Sequence, residues 1–568
     1  MEYRAAIRVD PHDNVLVALN DIQCSEKIEP GLIARELIPA KQKLAAIHFK
    51  IGQDIKMYGV VVGSAIEEIL PGQLLSTKNV THKASSYTGK TSVYDWQRPE
   101  LSHLNKKTFE GYHRSNGKVG TANHWIFVPL VFCESRNLEM LKNALKKTLG
   151  YSFDDPYTSF AQELRSSYEK GNEIDNLKKI SPNKFDSNQK KLFENIDGLK
   201  FLDHGLGCGG TRDDARTLCG LIAGYITHPN VAGATILSLG CQNAQVNILE
   251  QEINNRDPNF DKPLLIFEQQ QYPSEREMLN SAIRETFIKL IEANKNKRQT
   301  APISEICLGV ECGGSDGFSG ISANPTIGQC ADLLVGLEGS VILSEFPELC
   351  GVEQELCNRC ESDSLSQRFT HLMKLYNSRA EEHGSGFKDN PSPGNIKDGL
   401  ITDAIKSAGA AKKGGTSPIV DVLDYPENIQ KKGLSLLCTP GGDVESTTAM
   451  AGAGANLMVF STGLGTPTGN PITPTLKIST NTELAEKLPD LIDFDTGSII
   501  RGESSIEDLG EELLDLLIET ASGNYTPKAV ALGQDDFLPW KRGVMISSFK
   551  KRIFKHNNIG NAYFTGRR

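Results

Sequence analysis

A glycine-rich loop with a thiol, a carboxylate and two hydroxyls is the stretch of this sequence best suited to chemistry. It reads Glu311-Cys312-Gly313-Gly314-Ser315-Asp316-Gly317-Phe318-Ser319-Gly320 and follows an apolar run from Ile306 to Val310. The run predicts a buried parallel strand, and the apolar spacing after the loop predicts a helix. Ligands gather between such a strand and helix because free backbone N–H groups and the positive end of the helix dipole point outward there. A flexible Gly/Ser turn is the alternative interpretation.

Other polar or sulfur-bearing side chains recur just past the ends of predicted strands. They are His204 with Cys208, Cys241, Glu345 and Asp443. If the strands are neighbours, these groups converge with Cys312 at one edge of the sheet. Thiolate, imidazole and carboxylate groups together would hold a divalent transition metal. Taken singly, each cysteine is better explained as a small buried apolar residue.

Three further residues allow both a functional and a structural interpretation. Lys397, in a polar loop before a predicted helix, could transfer a proton if burial lowered its pKa, or could bind a carboxylate. Arg212 offers a guanidinium fork for a carboxylate. As solvated residues, Lys397 would only follow a turn and Arg212 would only pair with Asp213 or Asp214. His82 could be a ligand at the edge of a β-rich segment, although a lone histidine there is more often a surface residue.

Composition and motifs argue against several classes of function. The net charge of -10 disfavours nucleic acid or an anionic membrane as partner, and no apolar run is long enough to cross a bilayer. The glycines after Thr462 do not form a dinucleotide site, because Pro467, Pro471 and Pro474 prevent the helix that would receive a pyrophosphate. The 12 cysteines are scattered and no export signal is evident, which predicts free thiols in a reducing cytoplasm.

The order of predicted elements divides the chain of 568 residues into several domains. Short strands punctuated by Gly and Pro predict a small all-β domain over residues 1–87, followed by a polar linker over 88–110. Strands that alternate with helices predict a middle α/β domain over 111–297 and a C-terminal domain with a parallel sheet over 298–546. A basic tail would cover 547–568.

Taken in order, the loop motifs resemble those of the altronate/galactarate dehydratase family. The motifs are His204-Gly205-Leu206-Gly207-Cys208-Gly209, His228-Pro229-Asn230, Leu239-Gly240-Cys241, Cys312 to Gly320, Ala323-Asn324-Pro325, Ser344-Glu345-Phe346-Pro347-Glu348, Pro391 to Asn395 and Thr462-Gly463-Leu464-Gly465-Thr466-Pro467. The similarity covers nearly the whole chain to about Val544. It is closer to the altronate members than to the galactarate members, notably in Asp421-Val422-Leu423 and Ile492-Asp493-Phe494-Asp495.

The resemblance implies a fold, a reaction and a cofactor. The fold would be an N-terminal β-clip (SAF-like) domain, a second α/β domain used for dimerisation, and a C-terminal Rossmann-like parallel sheet that carries a metal site. The reaction would be removal of water from D-altronate to give 2-dehydro-3-deoxy-D-gluconate in hexuronate catabolism. The cofactor would be Fe2+, with Mn2+ as an alternative. The protein would be a cytoplasmic homodimer that binds a small sugar acid and neither nucleic acid nor membrane.

A dehydratase needs a base, an acid and positive charge, because proton removal beside a carboxylate leaves extra negative charge on its oxygens. We assign the metal to Cys208, Cys241, Cys312 and Glu345. Proton transfer falls to His204, Lys397 and Asp316. Substrate binding falls to Arg212, Ser315, Ser319, Asn395 and Thr466. The alternatives are a galactarate, other sugar-acid or sulfo-acid lyase of the same family, and a non-catalytic sugar-acid binding protein.

The sequence departs from the family pattern in its N-terminal domain. Lys41-Gln42-Lys43 stands where the family usually has Gly-His-Lys or Lys-His-Lys. Thr77-Lys78-Asn79 lies near positions where many members have histidines, and Gly442 replaces an Asn found in many relatives. These differences put in question any catalytic contribution from histidines of the β-clip domain.

Overall fold

The structure is a computed structural model that describes residues 5–152, 156–181 and 190–543. It confirms the predicted α/β class, with small antiparallel sheets at the N-terminus and a large parallel sheet in the C-terminal part. The predicted basic tail, 547–568, lies outside the described residues. Every helix within the described residues is too short or too polar to span a membrane.

The N-terminal module is built from short strands. They are Ala6–Ile7 (β1), Val15–Ala18 (β2), Lys27–Glu29 (β3), Leu32–Ile33 (β4), Lys43–Ala45 (β5), Asp54–Met57 (β6), Val60–Ala65 (β7), Leu74–Leu75 (β8) and Val80–Thr81 (β9). β1, β2, β5 and β8 form one antiparallel sheet, and β6, β7 and β9 form another. Buried residues of this module, including Phe49 and Met57, belong to the same hydrophobic cluster as the C-terminal domain. The module is therefore packed against that domain.

The middle part of the chain contains a parallel sheet covered by helices. Its strands are His124–Pro129 (β12), Gly198–Phe201 (β13), Val231–Ser238 (β14) and Leu264–Glu268 (β15), in the order β13-β12-β14-β15, hereafter the middle sheet. Its helices are Ser135–Thr148 (α1), Pro156–Glu169 (α2), Ile174–Leu177 (α3), Arg212–Thr227 (α4), Val246–Arg256 (α5) and Glu275–Ala293 (α6). Thr108–His113 (β10), Val119–Gly120 (β11) and Gln299–Pro302 (β16) form an antiparallel sheet beside it.

The C-terminal part contains the large sheet, whose strands all run parallel. They are Cys307–Cys312 (β17), Ser340–Leu343 (β18), Ile419–Leu423 (β19), Gly433–Leu437 (β20), Leu457–Thr462 (β21), Thr475–Ser479 (β22) and Phe494–Asp495 (β23). The helices are Ala323–Gly336 (α7), Glu353–Arg359 (α8), Asp363–Glu382 (α9), Pro393–Lys397 (α10), Asp403–Ala411 (α11), Asp443–Ala453 (α12), Thr482–Lys487 (α13), Gly497–Ile500 (α14), Ile506–Ser522 (α15) and Lys528–Ala531 (α16).

The strand order of the large sheet places a crevice at the end of β17. The order is β19-β20-β18-β17-β21-β22-β23, so the chain builds one side from β17 through β20 and then crosses to the other side at β21. In open α/β sheets, ligands bind outside the carboxyl ends of the strands where the order reverses in this way. The topology therefore points to the loop after β17, which is the glycine-rich loop.

Helices α4 and α12 hold the middle and C-terminal domains together at very short range. A Cβ atom on Gly224 of α4 would lie 2.2 Å from the carbonyl oxygen of Gly452 on α12. Real Cβ atoms do not approach a backbone oxygen so closely, so glycine is needed for this helix crossing. Asn456 adds a polar tie, since its side chain donates to the carbonyl oxygens of Val119 and Glu305.

We expect Gly224→Ala to lower the thermal unfolding midpoint by about 1–3 °C, because overpacking of this kind costs about 1–3 kcal/mol and the unfolding entropy of a long chain is large. Gly205→Ala is the matched control, since a Cβ there meets nothing within 4 Å. Differential scanning calorimetry of both variants measures the effect. Equal unfolding midpoints for the two variants would show that α4 and α12 can move apart without loss of stability.

Candidate active site

Acidic and basic side chains meet at the carboxyl ends of β17, β18 and β20. The acidic groups are Glu311 and Cys312 at the end of β17, Glu345 and Glu348 after β18, and Asp443 at the start of α12. The basic groups are Lys406 on α11, Lys413 just after it, and Lys477 on β22. We call these side chains the acid–lysine cluster.

Lys413 lies at the centre of one half of the cluster. Its Nζ donates to Glu345 Oε2 at 2.5 Å and to Cys312 Sγ at 2.9 Å, and the side chain is buried. Burial acts to lower the pKa of Lys413, but its interactions with Cys312 and Glu345 outweigh it and raise the pKa well above its usual value. Lys413 is therefore an ammonium ion. Since ion pairing outweighs burial for it, its positive charge compensates the carboxylates around it.

Lys406 compensates Glu348 in the same half of the cluster. Its Nζ lies 2.6 Å from Glu348 Oε1, while the thiol of Cys312 lies 3.3 Å from Glu348 Oε2. Burial alone would raise the pKa of Glu348, but Lys406 and Lys413 outweigh it and lower the pKa. Glu348 is thus a carboxylate, and burial keeps the pKa of Cys312 well above the usual value of a thiol.

The other half of the cluster brings Glu345, whose Oε2 pairs with Lys413, next to Glu311 and Asp443, which have no lysine ion pair among the described residues. One oxygen from each of Glu311, Glu345 and Asp443 lies within 4.8 Å of the others. Within the described part of the chain, Glu311 Oε1 and Glu345 Oε1 are buried and have no hydrogen-bond partner. Burial and the neighbouring Glu345 raise the pKa of Glu311 well above its usual value. Burial and the charges of Glu345 and Glu348 raise the pKa of Asp443 to about 7.

Lys477 is a second unusual base. Its side chain is buried, with Nζ 4.1 Å from the centroid of the Phe460 ring and without a hydrogen-bond partner among the described residues. Burial lowers its pKa to about 8, which leaves a fraction of the amine neutral near neutral pH.

The backbone of Glu345 is held in the left-handed region, with φ at 62°. A non-glycine residue adopts this conformation only where its surroundings stabilise it, and such residues concentrate at functional sites. Its N–H donates to Thr439 Oγ1 at 2.8 Å, which helps to fix the conformation. The turn directs the Glu345 side chain toward both Lys413 and Glu311.

The glycine-rich loop fits between the cluster and the N-terminal module. A Cβ on Gly313 would lie 2.1 Å from Asp443 Oδ2, and one on Gly317 would lie 2.3 Å from the carbonyl oxygen of Lys41. Glycine at these two positions is therefore required by close packing. The alternative of a loose Gly/Ser turn is not supported, because Cys312 to Gly320 is almost entirely buried.

Asp316 anchors this loop through several contacts. It is fully buried and pairs with Lys41 Nζ at 2.9 Å. It also accepts hydrogen bonds from the Ser319 hydroxyl at 3.2 Å and from the Thr480 hydroxyl at 3.1 Å. Burial acts to lower the pKa of Lys41, but the ion pair with Asp316 outweighs it and raises the pKa. These contacts favour a positioning role for Asp316; the predicted role in proton transfer stays a prediction.

The segment Lys41-Gln42-Lys43 places the N-terminal module beside the site. Gln42 Nε2 donates to the carbonyl oxygen of Lys397 at 2.7 Å, and Lys43 Nζ donates to that of Gly399 at 2.7 Å. Burial lowers the pKa of Lys43 to about 7. The position where the resemblance predicts histidine is thus filled by an amide that contacts the C-terminal domain.

Other residues predicted to bind substrate also lie near the end of β17. Asn395 Nδ2 donates to the carbonyl oxygen of Ser315 at 2.9 Å, and both side chains are buried. The Thr466 hydroxyl lies 3.0 Å from the Cβ position of Gly314. Lys397 is exposed at the end of α10. Together with Cys312, Glu345, Asp316 and Ser319, these residues form one neighbourhood, and their individual roles stay predictions.

The remaining predicted residues lie at the middle sheet, so the expected convergence on a single sheet edge is wrong in part. His204 and Cys208 follow β13, and Cys241 follows β14. Cys208 and Cys241 are exposed and belong to no group of candidate metal ligands among the described residues. Arg212 Nη1 donates to Asn243 Oδ1 at 2.7 Å. The sequence showed strand ends but could not show that they belong to two sheets.

His204 is held by the backbone on both sides of its ring. Its Nε2 lies 2.6 Å from the carbonyl oxygen of Pro129, and its Nδ1 accepts from the Leu206 N–H at 3.2 Å. Burial lowers its pKa to about 4. A neutral ring with both nitrogens engaged favours a structural role, although its proposed part in proton transfer stays a prediction.

Sequence reasoning did not assign roles to Glu311, Glu348, Lys406, Lys413 or Lys477. A signal existed for two of them, because Glu311 and Lys477 are charged residues within otherwise buried strands. Charged residues are almost never fully buried unless they are paired or functional. No comparable signal marked Lys406 and Lys413, because lysines within or just after a predicted helix are usually exposed to solvent.

Comparisons with known proteins cover the chain nearly from end to end. Family models match at residues 4–83 (Altronate/galactarate dehydratase SAF domain), 111–294 (D-galactarate dehydratase/Altronate hydrolase, second domain) and 303–545 (D-galactarate/Altronate dehydratase, C-terminal). Altronate dehydratase of Bacillus subtilis is 32% identical over 92% of this chain and 95% of its own. Altronate dehydratase of Escherichia coli is 30% identical over 92% and 96%. Galactarate dehydratase (L-threo-forming) of Escherichia coli is 28% identical over 91% and 92%.

We expect Lys413→Met to destabilise the protein by about 3–5 kcal/mol, because it leaves the buried Glu345 without its counter-charge and removes the hydrogen-bond donor to the Cys312 sulfur. Glu345→Gln should recover part of this loss in the double variant, with a coupling energy above about 1 kcal/mol. Lys289→Met is the control, since Lys289 pairs with Glu292 at the surface and should cost less than about 1 kcal/mol. Urea unfolding of the four variants measures these values; additive single effects would contradict the pairing.

Proposed function

The chain belongs to the altronate/galactarate dehydratase family, and we propose that it removes water from D-altronate to give 2-dehydro-3-deoxy-D-gluconate. Two relatives named altronate dehydratase support this substrate, since both are at least 30% identical to the chain over 92% of its length. The observation that carries the proposal is the buried acid–lysine cluster at the switch point of the large sheet. It combines proton-transfer groups and positive charge in a site sheltered from water.

The reaction removes a proton from the carbon beside the substrate carboxylate and a hydroxyl group from the next carbon. The enol that results becomes the 2-keto acid, and the proton and hydroxyl leave as water. Negative charge grows on the substrate carboxylate as the proton is removed, so a catalyst must supply positive charge there. Lys406 and Lys413 provide fixed ammonium groups close to the end of β17.

Lys477 is our candidate for the base. Its amine is partly neutral because burial lowers its pKa to about 8, and its Nζ is free of hydrogen-bond partners among the described residues. A base of this kind works best when its pKa lies near the working pH. The sequence predicted proton transfer by three other residues. His204 is hydrogen-bonded to the backbone, Lys397 is exposed, and Asp316 is ion-paired with Lys41.

The carboxyl oxygens that no lysine contacts fit the metal that the resemblance implies. Glu311 Oε1 and Glu345 Oε1 are buried and unpartnered in the described part of the chain, and Asp443 lies beside them. Carboxylate oxygens are suitable ligands for Mn2+ and Fe2+. When bound, such a cation supplies an electrophile that neutralises charge on the substrate carboxylate. We propose Glu311, Glu345 and Asp443 as its holders. Cys312 is a poorer candidate because the Lys413 ammonium already contacts its sulfur.

The substrate proposal is tested by incubating the enzyme with D-altronate, galactarate and D-mannonate and measuring 2-keto-3-deoxy acids. We expect the highest kcat/KM for D-altronate. Lys477→Met should lower kcat by about 100-fold or more, as loss of a general base does, while Lys289→Met should not change it. Faster turnover of galactarate would assign the chain to the other branch of the family. Tight D-altronate binding without turnover would support the binding-protein alternative.

The metal proposal is tested with chelated enzyme to which Fe2+ is returned under reducing conditions. We expect activity to fall on chelation and to recover with Fe2+ or Mn2+. Glu311→Gln should weaken Mn2+ binding, measured by electron paramagnetic resonance, by at least about 10-fold. Cys312→Ser is the matched control and should bind Mn2+ normally. Full activity after chelation would exclude the metal, and equal losses in both variants would make the thiol a ligand.

A further inference from the structure

A second group of metal-binding side chains lies where the N-terminal module meets the C-terminal domain. It consists of His82, Cys350 and Asp403, and one ligand atom from each lies within 4.8 Å of the others. His82 follows β9, Cys350 follows the short helix Phe346–Leu349, and Asp403 begins α11. Three separate segments of the chain therefore supply an imidazole, a thiol and a carboxylate to one point.

Two of these groups have buried polar atoms that the protein does not satisfy. Asp403 is only 1% exposed, and its Oδ2 has no hydrogen-bond partner among the described residues. The other oxygen, Oδ1, accepts from Asn390 Nδ2 at 3.1 Å and from the Ser407 hydroxyl at 3.3 Å. His82 Nδ1 is likewise buried and without a partner in that part of the chain. Buried polar atoms are nearly always paired, so the unpaired Asp403 oxygen and His82 nitrogen, with the Cys350 thiol beside Asp403, point to a bound water or ion.

A cavity of about 610 Å3 adjoins two of the three side chains, His82 and Cys350, and connects them with solvent. His82, Cys350 and Glu353 line it together with Tyr87, Lys374 and Asn377. An ion could enter by this route, and a water molecule from the cavity could complete its coordination. The lining also includes residues that follow His82 in the chain, so the cavity lies on the same domain junction.

The site is separate from the carboxylates proposed for catalysis. The group Glu311, Glu345 and Asp443 shares no residue with it. The two are nevertheless connected through α11, because Asp403 begins this helix and Lys406, one turn later, pairs with Glu348 at 2.6 Å. An ion bound to Asp403 would act on the position of that lysine.

We propose that His82, Cys350 and Asp403 bind a zinc ion, with a water molecule from the cavity as the fourth ligand. Zinc accepts sulfur, nitrogen and oxygen ligands, and three protein ligands plus water is a common arrangement for it. In a tetrahedral site with bonds of about 2.0–2.3 Å, ligand atoms are roughly 3.3–3.8 Å apart. The three ligand atoms lie within 4.8 Å of one another, so they need to move inward by no more than about 1.5 Å to reach this geometry. Binding displaces the thiol proton of Cys350 to solvent, because the thiolate is the ligand.

Zinc at this point would tie the N-terminal module to the C-terminal domain. His82 ends the module, and Thr402 beside Asp403 already donates its hydroxyl to the carbonyl oxygen of Val62 on β7 at 2.8 Å. The ion would add metal–ligand bonds from both parts of the chain to this polar contact. It would also fix the start of α11.

The test uses chelator-treated full-length protein titrated with Co2+ and Zn2+. Co2+ should produce the near-ultraviolet charge-transfer absorption of a cobalt–thiolate bond, and Zn2+ should abolish it by displacement. Zn2+ should also raise the thermal unfolding midpoint. We expect His82→Ala to weaken Zn2+ binding by at least about 10-fold, and Cys350→Ser to lose the absorption band.

Matched variants keep this test separate from the catalytic proposal and from misfolding. His103→Ala and Cys360→Ser change a histidine and a cysteine outside the group and should behave as wild type. Cys312→Ser should keep the band, whatever its activity. Near-ultraviolet circular dichroism of the metal-free variants verifies the fold. Absence of the band in wild type, or a band of equal strength in Cys350→Ser, would overturn the proposal.

Discussion

The buried carboxyl groups of the site need positive charge to compensate them, and the rest of the site depends on this constraint. Glu311, Glu345 and Glu348 are buried almost completely, and such groups are tolerated only with counter-charges, shared protons or bound cations. Lys413 and Lys406 provide the counter-charges for one half of the cluster. In the other half, burial and the neighbouring carboxylates raise the pKa values of Glu311 and Asp443. Lysines therefore neutralise one half of the cluster, and the other half is suited to binding a metal cation.

The site also depends on the N-terminal module, although most of its side chains come from the large sheet. The ion pair between Lys41 and Asp316 crosses from one to the other and fixes the glycine-rich loop. Gln42 and Lys43 continue this contact along the segment that contains Lys397 and Gly399. A single hydrophobic cluster runs beneath both parts. The departure from the family pattern at Gln42 therefore lies at an interface that shapes the site.

The sequence predicted the fold class and the region of the site better than the chemistry within it. The apolar runs Ile306 to Val310 and Ser340 to Ser344 located two strands to within two residues, because buried parallel strands have a clear pattern. Periodicity cannot show which strands share a sheet, so Cys208 and Cys241 were grouped with Cys312. The sequence did not indicate a role for Lys413, because that role depends on its burial in the folded protein. The roles of the individual residues rest on contacts between segments about 30 to 100 residues apart, which local patterns do not encode.

The packing of the N-terminal module has a consequence for the connecting segment that follows it. Lys90 donates to the carbonyl oxygens of Asn358 and Cys360, and the Tyr94 hydroxyl donates to that of Thr416. The connection is thus attached along its course to the C-terminal domain. A protease that cut within it would produce a nicked molecule whose pieces stay together, since neither the shared apolar core nor the Lys41–Asp316 pair depends on chain continuity there. Removing the module altogether would instead expose apolar surface and promote aggregation.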